Sequence, residues 1–186
     1  GAETPVNTFT TDSQSYPAVA TLADGGFVVA WSSRNQDGSL DRSLKSPVLT
    51  IMDLNAMILQ DDGKIIVAGK RFSLVDNRDH FAMARLNNDG SFDTGFGKNG
   101  KVNTDEGTGG IINAVAIQPD KKIVVAGNSG IARFKSDGSF DSSFGLNGKV
   151  GINLPYTGPF KEVYDIAVQQ DGKIVAVGIS SHENIA

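Results

Sequence analysis

The stretch Met57–Gly69 reads M-I-L-Q-D-D-G-K-I-I-V-A-G, an apolar run, a tight turn at Asp61-Asp62-Gly63, and a second apolar run. It recurs three more times, as V-A-T-L-A-D-G-G-F-V-V-A-W (Val19–Trp31), V-A-I-Q-P-D-K-K-I-V-V-A-G (Val115–Gly127) and I-A-V-Q-Q-D-G-K-I-V-A-V-G (Ile166–Gly178). The turn aspartates Asp24, Asp62, Asp120 and Asp171 are 38, 58 and 51 positions apart. A period near 50 residues marks an array of one supersecondary unit rather than a fold with a unique core.

The unit is a β-hairpin. Asp-Gly between β-rich runs is a strong two-residue hairpin signal, because a type I′ turn needs positive φ at both central positions. Asp62-Gly63 and Asp171-Gly172 carry it, while Asp24-Gly25-Gly26 varies it. Pro119-Asp120-Lys121 breaks the pattern and predicts a type I turn instead, since proline presets φ at the first central residue. The second runs, Ile65–Ala68, Ile123–Ala126 and Ile174–Val177, do not alternate apolar with polar residues. A strand exposed on one face alternates, whereas one buried on both faces reads continuously apolar. Hairpins covered on both faces imply sheets stacked face to face, with the small Ala and Gly at the run ends letting neighbouring sheets approach.

A third strand follows in two copies, at Phe81–Leu86 and Gly130–Phe134. Behind it comes a fifteen-residue motif without a gap, N-D-G-S-F-D-T-G-F-G-K-N-G-K-V (Asn88–Val102) and S-D-G-S-F-D-S-S-F-G-L-N-G-K-V (Ser136–Val150). Its two phenylalanines per copy are placed to pin a polar loop onto the core. Asn99-Gly100 and Asn147-Gly148 turn the chain into a short fourth strand at Val102 or Val150. Four antiparallel strands per ~50 residues, stacked with both faces buried, form the blade of a β-propeller. The expected fold is all-β: a β-propeller-like array of four-stranded antiparallel blades, incomplete at about three and a half repeats. The chain reads as a single repeat domain, 1–186, with units at 15–50 (degenerate), 55–103, 113–153 and 163–186 (partial).

The pattern Q-x-D-G-K-I-V-V-A-G, then F-A-x-A-R-L-x-x-D-G-S-F-D-x-x-F-G-x-x-G-K-V, resembles the bacterial delta-60 repeat of large secreted or surface proteins. Asn55–Asn103 and Asn113–Asn153 match closely, and a further unit begins at Val163. The first unit resembles related repeats of large bacterial adhesin-type surface proteins. It carries Asp37-Gly38-Ser39-Leu40-Asp41 but no F-G-x-x-G-K-V, and Arg42–Thr50 holds no clear strand. The resemblance implies a non-enzymatic scaffold or binding module, extracellular or at the bacterial cell surface, and brings no catalytic residues. A closed propeller has four to eight blades. An open array therefore calls for self-association, or for the remainder of a larger chain, to complete the ring.

Composition narrows the partners. Seventeen basic against 21 acidic residues give a net charge of −4, so no basic stripe is available for a phosphate backbone and nucleic-acid binding is not expected. No run approaches the ~18 apolar residues of a membrane span, so membrane insertion is not expected. Zero cysteines remove disulfides and thiolate metal sites. No secretory leader shows in the first residues, and a mature segment would have lost one.

No catalytic, cofactor-binding or metal-ligating residue is assigned, and no cofactor is called for. The acidic loops Asn35-x-Asp37-Gly38-x-x-Asp41 and Asn87-x-Asp89-Gly90-x-x-Asp93 echo part of a calcium loop, but the bidentate glutamate is missing and Lys135 replaces the asparagine in the later copy. Side-chain-to-backbone turns are the simpler use of such aspartates. His80 and His182 lack metal-ligand spacing, His80 being expected in a polar loop entering the third strand and His182 in a C-terminal tail. Gly107–Gly110 lacks the helix and Lys-Ser/Thr of a phosphate cradle. Lys64, Lys122 and Lys173 follow the turns as solvated residues that discourage edge pairing. Arg85 and Arg133, at equivalent strand positions, are expected to bond carbonyls or aspartates of their own blade. Recognition of a protein or carbohydrate ligand is expected from the divergent loops Arg71–Asp79, Asp105–Gly110 and Leu154–Lys161, the last bringing the aromatics Tyr156 and Phe160. The alternative is a glycosidase- or lyase-type propeller enzyme, with carboxylates converging in one central pocket.

Overall fold

Continuous apolar runs require cover on both faces, and β4 and β8 are stacked so that they get it. The computed structural model describes residues 53–88, 90–103, 110–151 and 161–180, and the backbone of strands 14–21 and 27–33. In chain order these are β1 Gln14–Thr21, β2 Phe27–Ser33, β3 Asp53–Leu59, β4 Ile65–Ser73, β5 Arg78–Leu86, β6 Lys101–Asn103, β7 Ile112–Ile117, β8 Ile123–Gly127, β9 Gly130–Phe134, β10 Lys149–Val150, β11 Lys161–Val168 and β12 Ile174–Ser180. Strands β3-β4-β5-β6 form one four-stranded antiparallel sheet and β7-β8-β9-β10 another, each in sequence order. β1-β2 and β11-β12 are two-stranded hairpins. The fold is thus all-β and propeller-like, an open array of blades, with no helix among the described residues and so none long and apolar enough to cross a membrane. The D-G-S-L-D stretch of the first unit, the glycine-rich Gly107–Gly109, the loop around Tyr156 and His182 lie outside the described residues.

Three apolar layers hold the stack. Ile66, Ala68, Phe81, Met83 and Phe96 of the second unit meet Ile112, Ile123, Val125, Ala132 and Phe134 of the third. The far face of the third unit, Ala114, Ala116, Val124 and Ala126, packs on Val163 and Ile166 of the fourth. Leu54, Ile65, Val67, Ala82, Ala84 and Leu86 line the opposite face of the second unit, where β1 lies against β3. Ile123, Val124 and Val125 are each 0% exposed although neighbours along a strand face opposite ways, which is what covers the whole run. Each such residue contributes about 1.5–3 kcal/mol relative to exposure. β12 shows the converse: Val175 and Val177, at the repeat positions of Val124 and Ala126, are 52% and 61% exposed, and no described element packs on that face.

The three described hairpin turns are alike: Asp62-Gly63 and Asp171-Gly172 differ from the type I′ expectation, and Pro119-Asp120-Lys121 has the type I turn expected of it. Gly63 N–H donates to Gln60 O and Gln60 N–H to Lys64 O, with positive φ at Gly63 alone. That is a type I turn closed by a left-handed third residue, the three-residue hairpin loop. Gln118–Lys122 and Gln169–Lys173 repeat the same bonds. Lys121 takes the glycine's place at φ +67°, so the chain accepts a strained residue rather than change the turn. The true type I′ turns are Asn99-Gly100 and Asn147-Gly148, where both residues have positive φ.

The glycine ending each second run has a different reason from close sheet approach. Every first strand carries a bulge, between Leu54 and Ala56, Ile112 and Ala114, and Val163 and Asp165. The bulge drives a carbonyl toward the partner strand. A Cβ on Gly69, Gly127 or Gly178 would lie 1.9, 1.7 or 2.0 Å from the carbonyl oxygen of Asp53, Ile111 or Glu162. The bulged residue itself reaches across blades: Asn55 Nδ2 donates to Ile112 O at 2.9 Å and Asn113 Nδ2 to Val163 O at 2.9 Å. Replacing Gly127 with alanine is expected to cost about 1–3 kcal/mol by overpacking. Gly151→Ala, with nothing within 4 Å of the added methyl, stays within about 0.5 kcal/mol. Urea unfolding of the two variants checks the difference.

Candidate functional site

The repeated polar side chains are bound into the scaffold. Arg85 Nε donates to Asp93 Oδ2 at 2.7 Å, its guanidinium lies 4.5 Å from the centre of the Phe96 ring, and Nη1 reaches Ser136 O of the next unit at 2.6 Å. Arg133 repeats this with Asp141 at 2.8 Å and the Phe144 ring at 4.5 Å. The expected structural role of the two arginines is what these contacts describe. Two of the three turn lysines differ from expectation, while Lys173 is exposed beside Asp171 of its own turn, as expected. Lys64 Nζ crosses to Asp93 at 2.9 Å, and Lys122 Nζ lies 3.4 Å from Asp141 as well as pairing with Asp120. They belong to the same clamp rather than to a solvated rim.

The described aspartates of the motif, Asp93, Asp137 and Asp141, are committed to turns and cations. Asp137 Oδ1 accepts from Ser139 N and Oγ, and Asp141 Oδ1 from Ser143 N and Oγ. No group of three or more His, Asp or Glu side chains with metal-binding geometry occurs among the described residues. The Ser143 hydroxyl, followed by the Ser143 amide and the charges of Arg133 and Lys122, holds the Asp141 carboxyl down to about 2. Lys64 is the largest influence lowering Asp93.

Two concave regions stand out among the described residues. One is a cleft of about 410 Å³ between the hairpin turns of three successive units. Equivalent glutamines Gln60, Gln118 and Gln169 line it with Ile58, Ile117 and Val168. Gln118 Nε2 donates to Gly172 O at 2.6 Å, and Gln60 Oε1 is buried with no hydrogen-bond partner. Its carboxylate is Asp61, exposed and paired with Lys121. Amides and aliphatics, rather than converging carboxylates, define this cleft.

The other region is where the units diverge. β4 and β5 run nine residues each, against five each for β8 and β9, so the hairpin of the second unit extends beyond its counterpart. Its tip turns at Leu74–Asn77, with Asn77 at φ +57°. Phe72, Leu74 and Val75 are 54%, 90% and 98% exposed there. A hollow of about 560 Å³ lies beneath them, lined in part by Arg71, Asp76 and His80. His80 lies within β5 and is buried, not in a polar loop as its neighbours Arg78 and Asp79 had implied. Its Nε2 is 2.7 Å from Asp76 Oδ2, and this bond is the largest influence holding Asp76 below the ordinary carboxylate range. Lys70 Nζ donates to Asp79 at 3.0 Å, a second tie across the hairpin. The tip is therefore a braced apolar projection. Its length was visible in the sequence as a divergent loop, but its bracing was not.

Stacked four-stranded blades with a repeated clamp define a propeller-type repeat protein. The sequence model of a family described as "Domain of unknown function (DUF5122) beta-propeller" matches residues 60–96 and 118–144, which lie within the two complete units. No curated protein matches the chain. Among solved structures it is similar to XC5397 of Xanthomonas campestris, a gluconolactonase important in glucose secondary metabolic pathways. That likeness has 14% identity and a TM-score of 0.35, covering 86% of this chain and 68% of the other, and carries no residue or activity across.

Acid should loosen the clamp. The Asp141 carboxyl binds its proton less readily in the folded chain than in the unfolded one, where it titrates near 3.9. Its contribution to stability is complete above about pH 5 and fades as the pH falls from about 4 toward 2. Asp141→Asn is expected to flatten that part of the stability profile, measured by thermal melts from pH 6 to 2.

Proposed function

We propose that this chain is a scaffold of the delta-60 repeat type from a bacterial secreted or surface protein, and that it binds a protein partner through the tip of the β4–β5 hairpin. One observation carries the reading: two neighbouring aliphatic residues, Leu74 and Val75, stand almost fully exposed on a hairpin braced by His80–Asp76 and Lys70–Asp79. Exposed apolar groups on a stiff support lose little entropy on binding, and a cluster of them favours a protein surface over a sugar. The resemblance of the repeat motif supports the setting. The two other divergent loops, around Gly107 and Tyr156, lie outside the described residues.

The enzyme alternative draws on no observation of comparable weight, since the cleft between the hairpin turns offers one solvent-exposed carboxylate paired to a lysine. The test uses a panel of purified bacterial-surface and host extracellular proteins beside a glycan array. Wild-type chain is expected to retain a protein ligand, and Leu74→Ser/Val75→Ser to lose it at least tenfold with an unchanged melting midpoint. Retention of glycans alone, or protein binding indifferent to the double substitution, would overturn the proposal.

A further inference from the structure

Strand β4 carries an unfilled feature at each of its ends. It leaves the turn Gln60–Lys64, which borders the cleft of about 410 Å³, and it ends at Ser73 beneath the exposed tip. Nine residues at about 3.3 Å each set the two roughly 30 Å apart. β4 stays paired with β5 over that whole length, from Ile65–Leu86 to Ser73–Arg78. A chain therefore cannot lay its own tip in its own cleft.

The two features match in chemistry. The tip presents Leu74 and Val75 to solvent, flanked by the exposed charges of Asp76 and Arg78. The cleft has aliphatic walls from Ile58, Ile117 and Val168, with the exposed charges of Asp61 and Lys121 beside them. An apolar cavity of about 150 Å³ already takes a benzene, so this cleft has room for both aliphatic side chains. Each charge at the tip has an opposite at the cleft, Arg78 for Asp61 and Asp76 for Lys121. The wall also holds an amide with unused capacity: Gln60 Oε1 has no hydrogen-bond partner, whereas its equivalent Gln118 spends Nε2 on Gly172 O. Lys121 is itself a departure from the repeat, held at φ +67° where the other two turns have glycine.

We propose that the Leu74–Val75 tip of one copy of this chain seats in the turn cleft of a second copy, head to tail. The proposal rests on the reading of the tip as a protein-binding site and names the partner. A second copy is the occupant favoured over a foreign protein, because one sequence supplies both halves of the match in charge and in apolar surface. Tip and cleft lie at opposite ends of β4, so the contact is heterologous. Each copy added presents a fresh tip at one end and a fresh cleft at the other. A two-residue anchor makes a small contact, so assembly is weak and follows concentration.

Analytical ultracentrifugation of the full chain from about 10 μM to 1 mM tests this, with one variant for each surface. Leu74→Ser/Val75→Ser removes the tip, and Pro119→Glu/Gln170→Glu sets two carboxylates in the cleft at exposed turn positions. Wild-type chain is expected to grow past the dimer as concentration rises. Each variant alone is expected to associate at least tenfold more weakly with an unchanged melting midpoint. An equal mixture of the two variants should form a dimer and stop there, since it holds one intact tip and one intact cleft. Association indifferent to either variant, or a mixture that stays monomeric while wild type assembles, overturns the proposal. A wild-type chain that is monomeric throughout also overturns it, and if that chain retains a foreign protein through Leu74 and Val75 the tip keeps its role with a different partner.

Discussion

The outer half of each blade depends on where one guanidinium points. Arg85 and Arg133 leave apolar strands and would be costly there without partners. Each turns onto an aspartate eight positions later, lies over a phenylalanine three positions beyond that, and so folds the D-G-S-F-D segment back against its own third strand. The pairing converts a polar, glycine-rich stretch into part of the core. Phe92 and Phe140 complete it, Phe140 stacking on Phe134 with ring centres 4.5 Å apart. Without the arginine the aspartate would keep only its turn lysine and water as charged surroundings, and the loop would rest on backbone bonds alone, Asp93 N–H to Arg85 O and Asp141 N–H to Arg133 O.

The clamp also joins blades, which explains why the motif is so closely kept between units. Arg85 uses its third hand on the Ser136 carbonyl, and the Gly97 amide takes the carbonyl beside it. Position by position, the repeat thus serves both its own blade and the next one. Asn55 and Asn113 do the same at the inner edge, spanning 57 and 50 positions of sequence. The glycine at the end of the second run follows from the bulge that carries those asparagines. Bulge and glycine go together in all three units, Gly178 included, whereas the asparagine is added in the two complete units and Tyr164 stands in its place in the last.

Much of this was legible and some was not, for identifiable reasons. Strand type and burial could be read because Ile123–Ala126 is apolar at every position, which only two-sided cover explains. The turn type was misread because Asp-Gly fits both a two-residue and a three-residue loop, and Gln60–Lys64 leaves the pairing of the flanking residues undecided. Lys121 in a left-handed conformation shows that register, not residue preference, sets that loop. The asparagine contacts had no local signature at all, since their partners are carbonyls. His80 looked like a loop residue because Arg78 and Asp79 precede it, yet the hairpin continues past them and carries it inward. The exposed tip was legible only as a difference in length.

That difference points to how a repeat array acquires a specific role. The shared residues of the clamp are occupied by one another: Arg85 with Asp93, Lys122 with Asp141, Gly138 with Phe96. A shared residue released for a ligand would unmake an interface, so specificity has to come from what the units do not share. The four extra residues on each arm of the β4–β5 hairpin satisfy that condition, since β8–β9 closes at Asn128-Ser129 without them and keeps its blade intact. They are also tied down locally, by His80 and Lys70, so their apolar tip is held out from the stack without drawing on its packing.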